Sequence, residues 1–315
     1  MALQKTQWKD KISTLVPVLG LIFVLAFFGI VSRGEIFRGN NLATVLNQAF
    51  TTVIIAVGLS MIYAQGGMDF SPGGVLALCS LCAMAAAGAM GNTILVLPVC
   101  IVSGIACYFV TGFITVGLNL NPYIGSVSMM FLTRGIVNSV LQGHSYEAID
   151  LGMANNIYVR FVALVLIIFV GWLVFNRTKL GRVSQAYGEN PVAAGQTGMP
   201  LKRYRLLAYC FGGLIVGVAA FFLLARTGNV TTGTGTNEEM NVIIALALGG
   251  MAMSGGVRTA VRCGVIGGII ISVLVNGMVV VGVPVTLTHG VRGLIFLAVV
   301  AISYVRDKGN KLLPR

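Results

Sequence analysis

Charge is what this sequence has least of. Only 10% of its 315 residues are charged, nine of them acidic, and there are two histidines. A soluble core of this length needs a polar shell, and too few polar side chains exist to make one. With 57% hydrophobic residues, the chain reads as an integral membrane protein. Charged groups are almost missing from the apolar runs themselves, which argues against a carrier driven by protons or sodium. No G-x-x-x-x-G-K-[ST] phosphate loop is present, so the chain does not bind ATP in that manner. Neither H-E-x-x-H nor a convincing Ser/His/Asp arrangement appears, which leaves no catalytic residue to nominate. His144 and His289 are single and expected in loops. Cys79 and Cys82 are spaced C-x-x-C, but no second pair or nearby His completes a metal site. With Cys100, Cys107 and Cys210 they read as small hydrophobes in packed helices. No metal or cofactor is expected.

What the chain does carry is positive charge, +12 in all. The basic residues fall in short loops between apolar runs rather than in one patch. That pattern follows the positive-inside rule and fits an anionic inner leaflet better than nucleic acid. Lys5, Lys9 and Lys11 precede the first apolar run, and no small-x-small cleavage site follows it. The run is expected to be an uncleaved first span with its N-terminus inside. Candidate spans lie near 16–32, 42–64, 70–90, 94–117, 122–142, 157–175, 206–225, 241–253, 264–282 and 289–305. The expected fold is all-α: one polytopic transmembrane bundle over residues 1–315, with about ten spans and some broken helices. Alternation puts both termini inside, together with 176–205, Arg258, Arg262 and the tail charges Arg306, Lys308, Lys311 and Arg315. Most acids, namely Glu35, Glu147, Asp150, Glu238 and Glu239, fall in outer loops.

Glycine is abundant, 41 residues, without low-complexity runs. The pairs Gly213/Gly217 and Gly264/Gly268 suit close helix contacts in lipid. Two stretches look interrupted: Gln65–Gly74, QGGMDFSPGG, and Gly249–Gly256, GGMAMSGG. They share a GGM-x-x-S frame ending in a double glycine. Broken helices at matching places in two halves point to a translocation path. Ordinary turn glycines explain the same letters, and the span count puts both stretches toward the inner side, where an inverted repeat needs opposite sides. Asp69 has two readings: a pore-facing carboxylate, or an N-cap near Pro72 exposed to the cytoplasm. Arg134 is expected near a membrane face, reaching lipid phosphate.

The longest polar interval is 176–205, NRTKLGRVSQAYGENPVAAGQTGMPLKRYR, with six basic residues. It contains a compact helix signal. Asn190 can cap the first N–H groups and Pro191 suits the first turn. Gly198 can end the helix and Pro200 prevents its continuation. The expected helix is Pro191–Thr197, with small side chains at Val192, Ala193, Ala194 and Gly195. A helix so short must pack on something. It is expected to be a plug presented to a cytoplasmic partner, so a pump of this kind would receive its energy from outside the chain.

These residues resemble the membrane permease of bacterial ATP-binding-cassette importers for simple sugars, the ribose-type branch, from about residue 42 to 300. The G-G-[IM]-D-[LF]-S-x-G element is Gly66-Gly67-Met68-Asp69-Phe70-Ser71-Pro72-Gly73. Pro122-Tyr123-Ile124 and Arg134-Gly135 follow in order. The family's cytoplasmic block is matched by Gly181, Arg182, Ala186, Gly188, Asn190, Ala193, Ala194 and Gly198. Then come Gly235, Glu239, Gly249, Gly250, Ser254, Gly255 and Gly256, and finally Asn276-Gly277 and Gly282-Val283. Gln65, Pro72 and Asn241 depart from the family's usual residues and leave the substrate open. Related branches carry autoinducer, nucleoside or branched-chain amino acids.

The resemblance implies two permease chains, expected to be identical, two ATPase subunits and an external sugar-binding protein. It implies the bacterial cytoplasmic membrane as the site of action. It also makes Gly181, Arg182, Gly188, Asn190, Pro191, Ala193, Ala194 and Gly198 the coupling block. Asp69, Ser71 and Asn276 are the candidates for the path. The rivals are an ATP-independent carrier or channel and a non-transporting scaffold.

Overall fold

The computed structural model describes residues 2–144 and 146–308, with side chains at 15–144, 146–152, 154–284, 286–298 and 301. The end charges Lys5, Lys9, Lys11, Arg306, Lys308, Lys311 and Arg315 lie outside the described side chains. Among the described residues the chain is helical, with no strand. In order, α1 is Ala2–Val31, α2 Gly39–Ala64, α3 Pro72–Met90, α4 Val96–Gly112 and α5 Pro122–Gly143. Then come α6 Ile157–Arg177, α7 Lys179–Glu189, α8 Pro191–Gln196, α9 Leu201–Thr227, α10 Glu238–Leu248, α11 Val261–Val280 and α12 Val285–Lys308. A π turn, Phe113–Gly117, prolongs α4. Helices satisfy their own backbone hydrogen bonds, which lipid demands.

Among the described residues, seven helices are long and apolar enough to cross a membrane: α2, α3, α4 with its flanking turns, α5, α6, α9 and α11. That is fewer than the ten spans expected. The shortfall falls at three places. The apolar described part of α1, Leu15–Val31, is shorter than the rest. The span expected at 241–253 is an 11-residue helix, α10, followed by the glycine-rich break. A rise of about 1.5 Å per residue makes α10 roughly 16 Å long, about half a bilayer core. α12 occupies the tenth position, and it places His289 within a helix rather than in a loop.

α2 is the central column; every residue from Ala49 to Ala64 is buried. Its neighbours approach through glycine. A Cβ on Gly171 of α6 would overlap Val57, one on Gly264 would come 2.9 Å from Ala56, and one on Gly268 2.6 Å from Val53. Gly104 of α4 faces Gly213 and Gly217 of α9 just as tightly. Both expected glycine pairs thus sit at close helix contacts, where small residues let dispersion act over the backbones. Cys79 and Cys100 belong to the same apolar core. α6 buries only Arg160, Gly171 and Phe175 and presents Val162, Val165, Leu166 and Phe169 outward.

Candidate functional site

The two interrupted stretches meet. α2 stops at Ala64, Gly66 turns at φ +79°, and the chain runs without regular structure to Ser71 before α3 begins. In the second stretch Gly250, Gly255 and Gly256 all take positive φ. The N–H of Gly256 donates to the carbonyl of Ala64 at 2.9 Å. A Cβ on Gly66 would lie 2.9 Å from the carbonyl oxygen of Ser254. The expected conflict over sides resolves here: both breaks pack together at the same end of α2.

This irregular segment then runs back into the bundle. Gly67 packs on Pro122 and Ile62, and Ser126 Oγ donates to the carbonyl of Met68 at 3.5 Å. Gly73 sits against the Glu239 carboxylate and the Gly235 carbonyl. The neighbouring acid, Glu238, accepts from Thr52 Oγ1 at 3.0 Å. Thr52 precedes Ala64 by twelve residues, about 18 Å along α2. α3 and α10 therefore both start deep inside the bundle, not at its surface.

Asp69 occupies this irregular segment and is 1% exposed; Ser71 is 0% exposed. Asp69 Oδ1 accepts from the Ser71 N–H at 2.8 Å and from Ser71 Oγ at 2.7 Å. The carboxylate thus holds the turn ahead of α3 but does not cap it: the N-cap is Ser71, with no side-chain cap bond, and Asp69 is buried rather than exposed. Tyr63 Oη lies 3.4 Å from the Asp69 carbonyl oxygen and amide nitrogen. Asp69 Oδ2 and Tyr108 Oη are buried without a hydrogen-bond partner. Asn276 is also buried, 4% exposed, but on α11, apart from the Asp69–Ser71 turn.

Arg134 is not a lipid-reaching residue. Its Nη1 donates to the Thr234 carbonyl at 2.6 Å, and it stands beside Gly73 and Glu239. Half-buried in α5, it is served by a carbonyl inside the bundle, while its Nη2 and the nearby Glu239 Oε2 both lack a hydrogen-bond partner. Glu238 and Glu239 are likewise not outer-loop acids; they open α10 and turn inward. Sequence distance hid this cluster, which joins residues 73, 134, 234 and 239.

The polar interval folds as two helices. The anticipated one is α8, Pro191–Gln196, with Gly198 at φ +72° behind it. Asn190 Oδ1 accepts from Val192 N and Ala193 N, each at 3.0 Å. Along α8 only Ala194 is buried; Pro191, Val192, Ala193 and Gly195 are exposed. α7 was not anticipated, and it joins α8 to the breaks. A Cβ on Gly181 would strike the Phe175 carbonyl, and one on Gly188 the Ala64 carbonyl. Gln65 Nε2 donates to Ser184 Oγ at 3.2 Å. Gln185 Nε2 donates to the Thr259 carbonyl at 3.2 Å, and Glu189 Oε2 accepts from Val257 N at 3.1 Å. Arg205 stacks on Tyr187 at 4.1 Å, while Arg182 is exposed.

A family described as branched-chain amino acid transport system / permease component matches residues 41–300. The chain belongs to this family. Its members are permeases, and the similar proteins include the ribose import permease protein of Escherichia coli (strain K12). That protein is 27% identical over 300 residues, covering 90% of this chain and 92% of its own length. The galactose/methyl galactoside import permease protein of the same strain is 28% identical, covering 85% and 88%. The ribose import permease protein of Bacillus subtilis (strain 168) is 27% identical, covering 91% of each. No solved structure matches the chain. The matched residues include the α7–α8 block and both breaks.

Proposed function

We propose that this chain is the membrane subunit of an ATP-driven importer, carrying a simple sugar across a bacterial cytoplasmic membrane. Two identical copies flank the path, ATPase subunits dock on α8, and an external binding protein delivers the sugar. The relatives' names support the substrate class, and coverage of 88% to 92% of those relatives' lengths supports the role. In this reading α1, the α10 segment with its break, and α12 complete ten crossings, with both termini inside. Strict alternation from α1 to α12 then puts α7 and α8 on the cytoplasmic side.

One observation carries the mechanism: α7 bonds to the ends of both breaks, through Ser184 to Gln65 and through Glu189 to Val257. α8 alone is too short to hold itself. Force applied to α8 reaches α7, and α7 shifts the two breaks together. The breaks lead to Asp69 and to the start of α3, so the motion opens or closes the interior. Uncharged sugar suits walls of hydroxyl, amide and small apolar groups.

The test is Ala194→Arg. The expected result is a permease that still inserts and stays monodisperse but no longer co-purifies with its ATPase. Normal sugar uptake by this variant would refute the coupling role. A panel of sugars and branched-chain amino acids offered to the external binding protein decides the substrate class.

A further inference from the structure

A cavity of about 280 Å³ opens between α2, α10, α11 and α12. Thr236 and His289 are exposed at its mouth. Deeper in, Thr52 and Ser272 are 1% and 3% exposed. Thr52 already donates to Glu238, and Ser272 donates to the Gly268 carbonyl at 2.8 Å. Three other lining side chains keep an unmet polar atom sealed from solvent: Gln48 Oε1, Asn241 Oδ1 and Arg292 Nε. Asn276 Nδ2, one turn along α11 from Ser272, is in the same condition.

Buried polar groups in native proteins normally have partners, so several orphans around one cavity point to a missing one. Two acceptors and an N–H donor on three different helices match vicinal hydroxyls, each of which both donates and accepts. Glu238 and Arg292 put opposite charges in the same wall, which favours a neutral solute over an ion. Ile271 and Val275 supply an apolar strip for C–H surface. We propose that this cavity is a monosaccharide subsite inside each single permease chain, reached from the outer side and separate from the Asp69–Ser71 turn. It rests on the importer reading above.

The variants Gln48→Met and Asn241→Leu keep side-chain bulk and remove only the amide. Both replacements delete an unmet oxygen, and Asn241→Leu also loses the amide's contact with Glu238, so the Tm of each variant is measured beside its Kd. The measurement is equilibrium binding of radiolabelled D-ribose, D-galactose and D-fructose to the permease–ATPase complex in nanodiscs, without the binding protein. The wild type is expected to bind one of them saturably, and each variant to weaken its Kd about tenfold, the loss of one hydrogen bond. Equal affinity in the variants overturns the subsite. So does the absence of saturable binding when the complete importer moves that sugar, because the cavity then holds only water. If the complete wild-type system moves none of the three, the importer reading fails first and the subsite falls with it.

Discussion

The carbonyl of Ala64 accepts the N–H of Gly256 at 2.9 Å, and it is the same carbonyl that Gly188 packs against. Three segments far apart in sequence thus converge on one backbone atom: the last turn of α2, the second break and α7. Such a junction transmits displacement because backbone atoms cannot rotate out of the way.

Gly188→Ala tests that junction. The added methyl would overlap the Ala64 carbonyl and sit 2.6 Å from Gly256 N. Overpacking of this kind costs about 1–3 kcal/mol. The expected outcome is a lower Tm together with more ATP hydrolysed per sugar imported. A Tm and stoichiometry equal to wild type would mean the three segments are not tightly joined.

Asn190→Ala removes both hydrogen bonds at the start of α8. Losing such a cap costs about 1 kcal/mol, and α8 has few bonds of its own to spare. Weaker ATPase association is expected, with the Tm of the bundle nearly unchanged, and Asn190→Ser should restore much of it. The check is the apparent Kd of purified ATPase for the permease in detergent. An unaltered Kd would show that α8 order does not matter for docking.

Asp69→Ala and Asp69→Asn separate shape from charge. The asparagine oxygen can still accept from Ser71 N and Oγ, so the turn into α3 should survive. Alanine removes both bonds, at about 1.5–3 kcal/mol for each bond to a charged group. Thermal unfolding should show a clear loss for alanine and a small one for asparagine. Equal losses would shift the role of Asp69 from shaping the turn to carrying charge.

Much of the local structure was legible in the sequence. Asn190, Pro191 and Gly198 act through neighbours two or three residues away, so α8 could be placed to within one residue. Apolar runs of about 20 residues located the long helices, because bilayer thickness sets their length. Small-residue spacing marked the contact faces of α9 and α11. The two breaks could be named from their glycines, since interrupted helices need such letters.

Long-range relations were not legible. α7 lies in a polar stretch whose own residues are weak helix signals; packing against Ala64 and Phe175 decides it. Arg134, Glu238 and Glu239 looked like membrane-edge and loop charges because charge alone suggests water. Their burial depends on a cluster assembled from three distant segments. The sequence by itself determined a glycine-rich helical bundle with one short capped helix in its polar interval, because hydropathy and capping act over a few residues. Only the tertiary structure decided that the two breaks lie side by side under α7, because such contacts depend on how helices distant in sequence pack on one another.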